Sequence, residues 1–186
     1  GYWALGDYAN AETEFPQQTM DWYVQFVEDM LNNGLRDKLT LFWSNHFVTQ
    51  LDVYQCPSLM FQYYHLLQQH GLGDFRDFVH AIGIEPAMIV FLNSYENTAA
   101  SPNENYAREL YELFTLGVNN GYTQNDIVET AKALTGWNGF TDYCAPITFV
   151  AGNHSQDSKT IFGQTGNWGY DDVVNILFAQ RGDLVA

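Results

Sequence analysis

His46 lies between Trp43 and Phe47 on the apolar stripe of the segment LTLFWSNHF. An imidazole in that position either satisfies a neighbouring backbone or carboxylate group, or it ligates a metal or moves a proton. The second chemistry-bearing stretch is SPNENYARELYELFTLG, residues 101–117. At about 100° per residue, Tyr106, Ala107, Leu110, Leu113 and Phe114 share the arc that a helix would bury. Glu104, Arg108 and Glu112 recur at i, i+4 and i+8 on the opposite face, a ladder of ion pairs worth about 0.2 to 0.5 kcal/mol each. Glu109 falls at the border of the buried arc, where a carboxylate is partly desolvated and faces another helix. The expected site therefore joins two segments. His46 and Glu109 act in it as a base and its orienter or, with Glu104, as ligands of a divalent metal ion, while Asn45 and Arg108 contact substrate. Its reaction would be hydrolytic. The rival reading is noncatalytic: Arg108 neutralises Glu104 and Glu112 as a structural clasp, and His46 caps a backbone carbonyl. Glu104 has a local role as well, since Ser101-Pro102-Asn103-Glu104 fits a capping box with proline at the first helical position.

Other candidates are weaker. HExxH, the P-loop, the nucleophile elbow and the EF-hand loop do not occur. HSQDSK, residues 154–159, reads as a solvated loop, with ion binding by His154, Asp157 and Lys159 as the alternative. His65, His70 and His80 stand alone on helical segments. The aromatic side chains, 5 Trp, 12 Tyr and 13 Phe, mostly recur at helical spacing and read as core. Exposed instead, Trp137 or Trp168 would stack on sugar rings and make the protein a polysaccharide binder.

The elements that must position these residues are mainly helical. Trp22, Phe26, Val27 and Met30 predict a helix from Pro16 to Leu31, with Gly34 beyond it, and a second runs from Leu35 to about Gln50. Pro57 to His70 opens on proline and ends before Gly71. Shorter helices are expected at 74–81 and 85–92, then a polar loop over 93–101 and a helix from Pro102 to about Leu116. Thr123 and Asp126 form a capping box for a helix ending near Gly136. Residues 147–150 and 159–162 predict a small β hairpin, and a last helix covers about 171–179. The fold class is thus mainly α, an orthogonal multi-helix domain over residues 1–186. It has an irregular segment at 1–15, a hairpin insertion at 147–162, and the helices at 35–50 and 102–116 packed together.

Composition limits the partners. The chain has 186 residues with 22 acidic against 7 basic side chains, a formal charge of -15. That charge repels phosphate backbones, so nucleic acid is excluded as an expected partner. No stretch approaches the roughly 20 apolar residues of a membrane span. The opening GYWALGDYANAETEFP has neither the basic start nor the apolar centre of a signal peptide. Cys56 and Cys144 either remain two thiols or pair across 88 positions, closing a loop worth about 4 to 5 kcal/mol.

LTLFWSNHFVT, GLGDFRDFVHAIGIEPAMIVFLNS and SPNENYARELYELFTLGVNNGYTQNDIVETAKALTGW, followed by HSQDSKTIFGQTGNWGYDDVV, resemble in order and spacing the bacterial family catalogued as domain of unknown function 1800. The resemblance spans roughly residues 39–169. The chain departs from the family pattern at Asn93, where Asp is commoner, at Phe114, where His is commoner, and at His154 to Asp157, where His and Asp are usually adjacent. The histidine absent at Phe114 weakens a metal site that would recruit it. Members are usually longer, so the resemblance implies a partial segment of a larger protein. It further implies export to the periplasm, cell surface or medium, with an envelope protein or polysaccharide as partner. Export in turn favours a Cys56–Cys144 bridge.

Overall fold

The computed structural model describes residues 11–141 and 144–185, which group into two compact units. The first falls within residues 1–88 and 141–145, the second within 89–140 and 146–186. The protein is mainly α, with small antiparallel β pieces near the expected place. Of the segment expected to be irregular, residues 1–10 lie outside the described residues, and the helix begins at Ala11 rather than Pro16.

The first unit contains α1 (Ala11–Asn32), α2 (Leu35–His46), α3 (Leu51–Tyr54), α4 (Pro57–His70) and α5 (Phe75–Ile82), and the opening of α6 (Pro86–Phe91). Local chemistry sets several ends. Cys56 caps α4, accepting from the Leu59 amide at 3.4 Å, and Pro57 occupies the first turn, where its missing N–H costs nothing. Asp74 caps α5 by accepting from the Asp77 amide at 3.1 Å. The second helix stops four residues before the expected Gln50. Phe47 leaves helical geometry at φ -97° and ψ 67°, and its carbonyl accepts from the Tyr63 hydroxyl of α4. Trp22 and Phe26 of α1 stack at 5.0 Å, and Tyr64 of α4 lies 4.3 Å from Trp22. Val27, expected on the same stripe, is exposed. Phe47, Tyr63, Leu67, Phe78 and Ile82 are buried, each aliphatic or phenyl side chain contributing about 1.5 to 3 kcal/mol.

The second unit holds α7 (Asn105–Glu109), a π-helix (Leu110–Thr115), α8 (Gln124–Ala133) and α9 (Tyr170–Arg181). Pro102 and Asn103, expected inside the helix, precede it. The Asn103 side chain accepts from the Asn105 amide at 2.9 Å, a local turn that competes with helix formation. Burial also differs from a uniform α-helix: Leu113 is exposed and Tyr111 buried. In a π turn each residue advances by a smaller angle, which carries Leu113 out of the buried arc. The Thr123–Asp126 capping box is present, with both amide contacts made, at 3.2 and 2.8 Å.

The strands pair differently from the single expected hairpin. Strand β1 (Trp137–Asn138) pairs with β2 (Thr148–Phe149), and β3 (Lys159–Ile161) with β4 (Gln164–Gly166), both antiparallel. Phe162 takes φ +48° at the β3–β4 turn, and the buried Asp126 of α8 accepts its amide at 2.7 Å.

Candidate functional site

Arg108 organises the exposed face of α7. It donates to Glu104 at 3.0 Å, to Glu112 at 3.4 Å and to the Gln124 carbonyl oxygen at 3.2 Å, while the Gln124 amide donates to Glu104 at 2.8 Å. The ladder read from i, i+4 spacing is therefore formed, and it extends to the first residue of α8. Glu104 and Glu112 are occupied as ion-pair partners of one guanidinium.

Glu109 is half-buried at the junction of α7 with the π-helix. Burial pushes its carboxyl above the usual range, the nearby Glu112 pushes in the same direction, and Arg108 pulls it back. A carboxyl raised by partial burial beside a second, ion-paired carboxylate is an arrangement that acid–base chemistry uses. Single π turns concentrate at functional positions, and this one begins at the residue after Glu109.

His46 is the last residue of α2 in the first unit, half-buried, with its ring edge-on to Phe47 at 4.6 Å and to Trp43 at 5.6 Å. Asn45 is exposed, and its amide donates back to the Leu41 carbonyl at 3.0 Å. Asn45 and His46 thus belong to one unit, and Glu104, Arg108 and Glu109 to the other. Among the described residues, no group of three or more His, Cys, Asp or Glu side chains is placed to hold a metal ion.

The sequence did not show that three charged residues, Lys159, Glu85 and Asp37, are buried. Lys159 is fully buried, donating to the Ser155 carbonyl at 2.7 Å and the Asn167 side chain at 2.8 Å. Burial lowers its pKa, while Asp157 and Glu129 raise it. Within HSQDSK, Gln156, Asp157 and Ser158 are exposed as expected of a loop, whereas Ser155 and Lys159 at the border of β3 are buried. The signal was strand alternation, since Lys159 and Ile161 point inward with Thr160 outward. Glu85 is 4% exposed, at the entrance of α6. Its Oε2 accepts from the Met88 amide at 3.2 Å, while Oε1 has no hydrogen-bond partner. Asp37, 5% exposed near the start of α2, accepts from Gln68 at 2.8 Å.

The cysteines resolve the alternative left by the sequence. Cys56 and Cys144 form a disulfide, with their Cα atoms 5.3 Å apart, and both belong to the first unit. Among the described residues no helix is long and apolar enough to cross a membrane. These features define an acidic, mainly α, disulfide-bridged protein with a carboxylate–guanidinium cluster. The chain belongs to the family described as "Protein of unknown function (DUF1800)", whose model matches residues 6–182. No curated protein and no solved structure matches it.

Proposed function

We propose that this is an exported envelope protein that performs acid–base hydrolysis on an envelope or polysaccharide substrate, with Glu109 as its proton-transferring group. The location rests on the Cys56–Cys144 bridge, because disulfides persist in periplasmic and extracellular proteins and are rare in the reducing cytosol. The reaction rests on one observation, the desolvated Glu109 carboxyl beside Glu112. His46 enters as a second titratable group to be tested separately. Chromogenic esters, phosphate esters and glycosides, offered to the purified protein, provide the test. Glu109→Gln lowers turnover by about 10²- to 10⁴-fold without changing the melting temperature, the range of a lost general acid or base. Undiminished turnover in that variant removes Glu109 from the chemistry. Stoichiometric divalent metal that is lost in His46→Ala supports the metal-dependent form of the reaction.

The Arg108 cluster favours a second reading, a noncatalytic surface or scaffold module. Arg108 ties Glu104 and Glu112 to Gln124 on a partly exposed face, where such pairs contribute little individually. Arg108→Ala then costs about 1 kcal/mol in thermal unfolding, and Arg108→Lys restores little of it because the planar fork is lost. A stability loss in Arg108→Ala, together with no hydrolysis of any substrate by the wild type, selects this reading over the enzyme.

A further inference from the structure

The first unit contains a polar cavity of about 660 Å³ between α1, α2 and α4, within the range of small-molecule sites. Asp37, the carboxylate that is 95% buried, lines it. Its Oδ1 is held by Gln68, and Oδ2 takes no hydrogen bond among the described residues. The neighbouring amide nitrogens each make one hydrogen bond. Asn33 donates to Asp29 at 3.0 Å, and Gln69 donates to the His65 ring at 2.9 Å. Each of these bonds, and that from Gln68 to Asp37, uses one of the two N–H groups of its amide, so Asn33, Gln68 and Gln69 keep a carbonyl oxygen as acceptor and one N–H as a further donor. The strong donor of the set is Arg36, exposed at the cavity. Leu35 and Leu72 add apolar surface, being 65% and 57% exposed.

The ligand that fits must donate several hydrogen bonds, accept from one guanidinium and present an apolar face. Vicinal hydroxyls do both hydrogen-bonding tasks, and the C–H face of a pyranose ring covers leucine. Anions are disfavoured by Asp29, Asp37 and the charge of -15, and a small ammonium compound would meet Arg36. We propose that this cavity between α1, α2 and α4 binds a neutral sugar unit, with Asp37 as its principal hydrogen-bond acceptor. The inference is independent of Glu109, which lies in the other unit.

Titration of the purified protein with glucose, galactose, mannose and their disaccharides, followed by NMR, tests the idea, with putrescine as the cationic control. At least one neutral sugar saturates below about 50 mM, with an affinity insensitive to salt. Asp37→Asn keeps the shape, exchanges the free acceptor for a donor and weakens binding by about tenfold or more. Gln68→Leu, on a partly exposed position, gives the same direction if the Asp37 variant fails to fold. Absence of saturation by every sugar overturns the proposal. So does unchanged affinity in the folded variants, or salt-sensitive binding of putrescine alone.

Discussion

Replacing Cys56 and Cys144 together by serine lowers the unfolding free energy of the first unit by about 4 to 5 kcal/mol, the loop-closure value for a separation of 88 residues. The serine at position 56 isolates the cross-link. Cys56 is fully buried and its sulfur caps α4 by accepting from Leu59, a role that a serine hydroxyl also fills. What the double variant loses is therefore chiefly the constraint on the unfolded chain. Urea unfolding followed by tryptophan fluorescence reads the effect, since Trp22 and Trp43 both lie in the first unit. A reductant added to the wild type shifts the midpoint by the same amount. If reductant leaves the midpoint unchanged, the bridge contributes nothing, and the proposed residence in an oxidising compartment loses its support. The same constraint explains why production in a reducing cytosol would yield a weaker protein.

Features of the chain that depend on near neighbours were legible in its sequence. The bounds of α4 follow from Pro57 and Gly71, and the Thr123–Asp126 box needs only residues three apart. The Arg108 ladder is likewise a matter of i, i+4 spacing. Features set by distant partners were not. Tyr111 is drawn inward because its hydroxyl meets Thr130 of α8 at 2.5 Å, and no periodicity within residues 101–117 contains that contact. The pairing of Thr148 and Phe149 with Asn138 and Trp137, instead of with residues near 160, is also nonlocal, since strands this short carry almost no register information of their own. The candidate site divides in the same way. Glu109 was visible as a carboxylate at the edge of an apolar arc. Glu85, Asp37 and Lys159 were hidden, because burying a lone charge depends on which elements close over it.

Glu85 gives the other large effect. Its carboxyl is raised from the usual 4.5 to about 8, first by burial and against the opposing pull of the Met88 and Ala87 amides. The titratable groups facing it are the hydroxyls of Tyr54 on α3 and Tyr63 on α4, both driven upward by their own burial and so neutral in the same range. Between about pH 4.5 and 8 the native state holds a proton that the unfolded chain has released. Stability from this group is thus complete below the unfolded pKa, falls by about 1.4 kcal/mol per pH unit as pH rises, and levels off above about 8. The whole interval is worth about 4 to 5 kcal/mol. Glu85→Gln, which cannot ionise, lacks that slope. Unfolding free energies of the two proteins, measured by urea from pH 5 to pH 9, therefore diverge with rising pH in favour of the variant. The unpartnered Oε1 position adds a constant offset in the variant, which leaves the difference in slope intact. Parallel curves across this range would mean that Glu85 is ionised in the folded protein, with its charge met by water or a cation inside the first unit.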